Sequence, residues 1–170
     1  MSERLRSLMV AHGALVFLLG MAAGFPFAFV ILGKVVLWPF PGASAWNGPG
    51  DVRGWRMAHL EGILNGLTLL AVAAVAPHLR LGARAQKVVG WSLIVTAWGN
   101  MVASLVGPLF GGRGLEFGGG VANSLMYVLF VIAVVAVIVA MVLVSVGALR
   151  RARGVAASAA RAPGGVRWER

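Results

Sequence analysis

The sequence predicts an all-α fold, a four-helix bundle built into a membrane. Three observations carry this. Hydrophobic residues make up 59% of the 170 positions and charged residues 12%, against about 25% charged in a typical soluble domain. The apolar residues form four long runs, each exceeding the ~20 residues that cross ~30 Å of hydrocarbon as a helix. The charges cluster at the ends of those runs. The runs are solid and do not alternate, which argues against the strands of a membrane barrel. With no cysteine in the chain, disulfides, thiolate metal sites and cysteine nucleophiles are excluded. The formal net charge of +10 would suit nucleic acid if it were gathered in one patch. Its placement at the run ends points instead to the bilayer as partner, and no nucleic-acid partner is expected.

The first run spans about residues 8–33. Arg4 and Arg6 precede it and Ala43-Ser44-Ala45 follows, an arrangement shared with signal peptides. It is much longer than the ~7–15 apolar residues of such a peptide, and Phe25, Phe27 and Phe29 make it bulky. It is read as a retained helix, kinked by Pro26. The loop that follows carries Trp38-Pro39-Phe40-Pro41-Gly42 and Asn47-Gly48-Pro49-Gly50, turn formers that predict a compact connection folded back on the membrane. Trp38, Trp46 and Trp55 suit an interfacial aromatic belt.

The second run covers 57–79, the third 88–110 and the fourth 121–149. Between the last two lies Gly111-Gly112-Arg113-Gly114-Leu115-Glu116-Phe117-Gly118-Gly119-Gly120, whose glycines permit close backbone approach or unusual dihedrals. No strand–loop–helix context supports a phosphate cradle there. The domain is therefore residues 1–149. Residues 150–170, rich in Ala, Gly and Arg, are expected to form a disordered basic tail near anionic headgroups. Eleven of the fifteen Lys and Arg residues fall at the termini and the second connection, and Lys34, Arg53, Arg56 and Arg113 fall opposite. The positive-inside rule then places both termini in the cytoplasm of a multi-pass, bacterial-type inner-membrane protein.

Polar residues inside spans are costly and default to function or helix packing. In the second run Glu61, Asn65 and Thr68 share a face. His59, Gly62 and Gly66 lie on a neighbouring one, and Gly62-x-x-x-Gly66 would let a helix or a flat ligand lie against the backbone. Ser92, Thr96, Asn100 and Ser104 recur every fourth residue in the third run. The fourth is polar only at Asn123, Ser124 and Tyr127, then apolar from Val128 to Val144, a stretch expected to face lipid or a neighbouring subunit. Alternating helix directions bring His59, Asn65, Asn100, Ser104 and Tyr127 to one layer in the outer half of the bilayer. Interhelical hydrogen bonds of about 0.6–2 kcal/mol each are the simpler reading of any one of them. Five together point to a site. His12 and His78 are placed at the inner ends of their runs, far from His59, and receive no role. His59 is either a structural hydrogen-bonder or a lone axial ligand that leaves the opposite position of an iron open, which suits Lewis-acid chemistry or gas binding.

Gly54-Trp55-Arg56-Met57-Ala58-His59 followed by Leu64-Asn65-Gly66 resembles the bacterial styrene oxide isomerase family. Gly90, Trp98-Gly99-Asn100, Arg113-Gly114-Leu115-Glu116-Phe117-Gly118 and His12-Gly13 extend the resemblance in order and spacing. It covers roughly Met9 to Leu149. It implies a small four-helix membrane isomerase, assembled as a homo-oligomer (a trimer) with haem b between subunits. His59 would be the axial ligand to iron, with Asn65 beside the substrate, an apolar or aryl epoxide. Ferric iron would act as a Lewis acid on the epoxide oxygen. Ring opening and a 1,2-hydride shift would then give an aldehyde with no net redox change. The chain departs from the family pattern at Thr96, where an acidic residue is expected, and at Ser104, where a tyrosine is expected. The catalytic set is therefore expected to comprise Asn65, Asn100, Ser104, Thr96 and Tyr127, Tyr127 standing in for the missing phenol. Gly62 and Gly66 join His59 in holding the cofactor. Two other classes fit the residues alone: a haem protein of electron transfer or gas sensing, and a haem-free structural or accessory membrane protein.

Overall fold

The computed structural model describes residues 1–37 and 39–160. Trp38 of the expected aromatic belt and the tail arginines Arg161, Arg167 and Arg170 lie outside the described residues. Four long helices dominate: α1 (Glu3–Leu32), α2 (Val52–Val75), α3 (Ala83–Phe110) and α4 (Val121–Ala160). All four are long and apolar enough to cross a membrane.

The helices begin earlier than hydropathy alone indicates, because caps set their starts. Ser2 caps α1, its Oγ accepting from the Leu5 amide at 3.3 Å. Asp51 caps α2, its Oδ1 accepting from the Gly54 amide at 2.7 Å. Beside it the Trp55 indole donates to the Pro49 carbonyl at 2.8 Å. The polar stretch Val52–Arg56 is thus helical although it adds nothing to the apolar run. Pro26 sits inside α1, which ends on a left-handed Gly33 with φ 64°. A two-residue antiparallel ladder follows, β1 (Lys34–Val35) with β2 (Ser44–Ala45), and folds the first connection back over the helix end. There Trp46 packs on Phe29 with ring centroids 5.8 Å apart. A 3-10 turn, Ala76–His78, closes α2 at Pro77.

The largest departure from the sequence reading is at the end of α4. Residues 150–160, expected to be disordered, continue the helix. Alanine and arginine are strong helix formers, and extending an existing helix carries no nucleation cost. The extension also has a neighbour. The Arg80 amide donates to the Gly147 carbonyl at 3.1 Å, tying α4 to the α2–α3 connection.

Packing is by pairs. α1 lies on α2, α3 on α4, and α2 joins α3; α4 makes no more than marginal contact with α1 or α2. Buried positions in α1 are Leu5, Met9, Gly13, Val16, Gly20 and Ala23, the three–four spacing of a helix seam. In α4, Met126, Ala133, Ala140 and Gly147 recur every seventh residue along the seam to α3. The outward surface is apolar on every helix: Leu18, Leu64 and Val135 are each more than half exposed. That pattern suits hydrocarbon as solvent.

The α1–α2 contact sets the geometry of the site. A Cβ added at Gly20 would stand 2.8 Å from the Gly62 Cα, and one at Gly66 would stand 2.8 Å from the Gly13 carbonyl. Only glycine allows the backbones so close. Gly62 and Gly66 are therefore covered by α1. Of the two occupants their spacing admits, the helix α1 is the one that lies against Gly62 and Gly66. The expectation of a cofactor cradle at these two glycines therefore meets a face that α1 already covers. On the other side, because α4 touches α3 and hardly α2, a groove opens along α3 between α2 and α4.

Candidate active site

His59 lies on the α1 side of α2. Its Nδ1 is 2.8 Å from the Gly20 carbonyl. A carbonyl only accepts, so Nδ1 carries the proton and Nε2 keeps a free lone pair. Gly24 lies directly beneath the ring, where a Cβ would be 2.9 Å from Nδ1. Phe27 flanks it with ring centroids 6.0 Å apart. The imidazole is thus oriented by a backbone acceptor and seated on a helix with no side chain at the contact.

His12 has the opposite tautomer. The Trp98 indole, which can only donate, places its Nε1 3.1 Å from His12 Nδ1. The His12 proton is therefore on Nε2, and its Nδ1 is spent. Its position also differs from the sequence reading. With α1 starting at Glu3, nine residues at 1.5 Å place His12 ~14 Å into the helix. Its neighbour Gly13 packs on Gly66, so it belongs to the middle of the bundle and not to its end. His78 stays at the far end of α2, exposed in the 3-10 turn.

The groove holds the second group. Asn65 donates through Nδ2 to the Glu61 carbonyl at 2.9 Å and to Glu61 Oε2 at 2.7 Å. Its Oδ1 accepts from Asn100 Nδ2 at 3.2 Å. This Glu61–Asn65–Asn100 chain spans α2 and α3 and is half-buried. Both donor bonds of Asn65 end on Glu61. The second Nδ2 hydrogen and the Oδ1 of Asn100 are the amide groups that this chain of bonds does not use. Glu61, which the sequence places on one face with Asn65 and Thr68 but which is not among the expected catalytic residues, is the partner that holds Asn65. Its signal was present: it stands four before Asn65, where side chains meet on one helix face.

Ser104, one turn beyond Asn100 on α3, is 1% exposed. Its Oγ has no hydrogen-bond partner among the described residues. It borders a cleft of about 620 Å³ formed by the start of α2, the end of α3, the 111–120 loop and the start of α4. That loop is clamped from α4. Asn123 Oδ1 accepts from the Arg113 and Gly114 amides at 2.8 and 2.9 Å, and its Nδ2 donates to the Glu116 and Gly118 carbonyls at 2.9 and 2.8 Å. Gly114 adopts φ 62°, and a Cβ there would stand 2.7 Å from Met126 Cβ. The glycine-rich loop thus uses both a left-handed dihedral and a close approach, as its composition suggested.

Two expected members lie apart from the Asn65–Asn100 contact. The Thr96 hydroxyl lies 2.8 Å from the Ser92 carbonyl and 3.1 Å from the Ala133 carbonyl of α4. It is buried, and its one proton is taken up by these two carbonyls, one in α3 and one in α4. Tyr127 sits edge-on to Phe117 of the loop, centroids 6.1 Å apart, and takes no part in the Asn65–Asn100 contact.

His59 and Asn65 are also not on one face. Six residues apart at ~100° per residue, they point about 120° from each other around α2. α2 thus lies between His59 and the Asn65–Asn100 contact. Among the described residues no group of three His, Cys, Asp or Glu side chains is placed to hold a metal ion. The metal chemistry compatible with His59 is that of a group needing one protein ligand.

Four helices long and apolar enough to cross a membrane, with an oriented histidine and an amide pair bonded between two of them, define an all-helical bundle of membrane-spanning character. Its lineage is shown by comparison. The chain belongs to the styrene oxide isomerase family, whose family model, "Styrene oxide isomerase", matches residues 5–149. It is similar to a styrene-oxide isomerase of Pseudomonas fluorescens, 34% identical over 70 residues that cover 41% of each chain. It is also similar to hydroxylaminobenzene mutase HabB of Ectopseudomonas oleovorans, 37% identical over 57 residues, 34% of this chain and 35% of the relative. The alignments thus span about two fifths of the first relative and about a third of the second.

Proposed function

We propose that the protein is a membrane isomerase of aryl or otherwise apolar compounds carrying a reactive bond to oxygen, acting through haem b held by His59. The observation that carries this is the His59 tautomer. Nδ1 is committed to the Gly20 carbonyl, and a ring held so offers Nε2 to iron, the arrangement usual for metal-bound histidine. Haem iron, when bound, supplies a Lewis acid for the substrate oxygen.

The chain's own residues then have separable tasks. The Gly20 carbonyl and Gly24 fix the ring. Glu61 fixes Asn65, and Asn65 fixes Asn100. Asn100 offers one donor and one acceptor to the substrate's oxygen or to the group that carries it. The apolar surface admits the substrate from hydrocarbon and excludes the water that would hydrolyse an epoxide. An isomerisation needs no co-reactant, because every atom of the substrate remains in the product. The two named relatives favour the class. Styrene oxide and hydroxylaminobenzene are both aromatic compounds with an oxygen in a reactive bond, and both reactions rearrange one molecule.

Because His59 and Asn100 face different sides of α2, a site that uses both draws them from neighbouring copies. This supports a homo-oligomer, a trimer on the family resemblance, with haem at the contact. In the same reading both termini are cytoplasmic in a bacterial inner membrane. Purified protein supplied with haem is incubated with styrene oxide and the products separated by gas chromatography. An aldehyde absent from the His59→Ala control is expected. Turnover equal in the two proteins would end the haem reading. A low-spin spectrum with two axial ligands and no aldehyde would favour electron transfer, and full-length protein that takes up no haem would favour an accessory role.

A further inference from the structure

The arginines at the ends of the second and fourth apolar runs have no task in the proposed reaction. We infer that Arg80, Arg150 and Arg153 form a binding site for the phosphate of an anionic membrane lipid, whose acyl chains lie along α4. The inference rests on the chain spanning a membrane, and on neither haem nor isomerisation. Two glycines build the site. Gly147 and Gly154 stand seven apart on α4 and share a face. A Cβ at Gly147 would stand 2.8 Å from Leu81 Cγ, and the Arg80 guanidinium lies over Gly154 at the place a Cβ would take. The Arg80 amide donates to the Gly147 carbonyl at 3.1 Å. The α2–α3 connection is thereby docked on α4, and its arginine joins those of the helix. Arg80, Arg150 and Arg153 line one open pocket with Leu81, Gly82 and Gly154.

None of the described acidic residues lines this pocket. Three like charges gathered in one place repel one another, and an anion between them offsets that repulsion. Phosphate is matched by the guanidinium fork, which binds it through two parallel hydrogen bonds. The pocket also sits where the apolar runs end, since Leu79 and Leu149 immediately precede Arg80 and Arg150. In a bilayer that is the level of the headgroups. From there α4 carries an apolar stripe back into the hydrocarbon. Val135, Ile138, Val142 and Leu149 are each more than half exposed, and their spacing sets them on one face with Arg153. From Ile138 to Leu149 the stripe runs ~16 Å at 1.5 Å per residue, about half of a ~30 Å hydrocarbon core. An acyl chain of one leaflet matches that length, whereas a free phosphate would make no use of it. The stripe therefore selects a lipid as the carrier of the phosphate.

Full-length protein in detergent is titrated with three probes, and bound ligand is counted by native mass spectrometry. The probes are phosphatidylglycerol, phosphatidylcholine with the same acyl chains, and glycerol 1-phosphate, which keeps the phosphate and lacks the chains. Phosphatidylglycerol should bind tightest, with each of the others at least fivefold weaker. Combining Arg80→Gln, Arg150→Gln and Arg153→Gln should weaken phosphatidylglycerol at least tenfold. Combining Arg4→Gln, Arg6→Gln and Lys87→Gln removes the same charge from the starts of α1 and α3, and should leave its affinity within twofold of wild type. Gly154→Leu keeps every charge but fills the seat of the Arg80 guanidinium, and should weaken phosphatidylglycerol severalfold. A thermal melt checks that each variant is folded. No saturable binding of phosphatidylglycerol, equal affinity for the two lipids, equal losses in the two triple variants, or unchanged affinity in Gly154→Leu would overturn the inference. Glycerol 1-phosphate binding as tightly as phosphatidylglycerol would overturn the lipid and leave a free-phosphate site.

Discussion

The two faces of α2 differ in what they were built from and in how firmly they are held. Toward α1 the face is glycine: Gly62 and Gly66 meet Gly20 and Gly13 at backbone distance, and the one polar group, His59, is bonded to backbone. Toward the groove the face is amide and carboxylate, and Glu61, Asn65 and Asn100 bond to one another across the two helices. The first face is close-packed, with no room for a Cβ at these glycines, and such close packing makes it rigid. The second is ordered by hydrogen bonds worth only about 1 kcal/mol apiece in a membrane. A rigid face suits the holding of a cofactor, and a hydrogen-bonded one suits the adjustment to a reacting molecule.

Breaking the glycine face should have the largest effect. Gly62→Leu would force α1 and α2 apart, costing ~3 kcal/mol or more by overpacking, read as a collapsed thermal melt and aggregation on size-exclusion chromatography. On the groove face Asn65→Ala should leave Asn100 without its anchor. It should lower turnover ~100-fold, in the range of a lost positioned donor, while shifting stability by only ~1 kcal/mol and sparing haem content. If Asn65→Ala instead melts like Gly62→Leu, the two faces are not distinct. Thr96→Val lies off both faces and should cost ~1 kcal/mol of stability from the α3–α4 seam, with kcat unchanged. Tyr127→Phe keeps the ring against Phe117 and should be silent in turnover; a large loss would return the phenol to the site.

The helices themselves could be read from hydropathy, because a bilayer demands long apolar runs and little else produces them. Their ends were misjudged where polar caps such as Asp51, or helix-forming alanine and arginine past Leu149, extend a helix without adding hydrophobicity. Depth was also legible: counting residues put Asn65 and Asn100 at one level, and they meet. Direction around the axis was harder. Gly62 and Gly66 announce a close approach but not what approaches, and only the reciprocal Gly13 and Gly20 on α1 decide it. Thr96 and Asn100 occupy the same stripe in sequence, yet α4 lies over one and leaves the other open. Tautomers are invisible in sequence. His12 and His59 look alike until Trp98 and the Gly20 carbonyl force the proton to opposite nitrogens.

That last contrast is also the sharpest test. Absorbance in the Soret region is compared for wild type, His59→Ala and His12→Ala, each expressed with haem supplied and purified in detergent. Wild type and His12→Ala should carry the band, since His12 has no free Nδ1 and a protonated Nε2, and His59→Ala should lose most of it, because even the loss of an outer-shell partner costs about tenfold or more in metal affinity. A band that survives in His59→Ala, or that vanishes in His12→Ala while the protein remains folded, would contradict the assignment of His59 as the ligand.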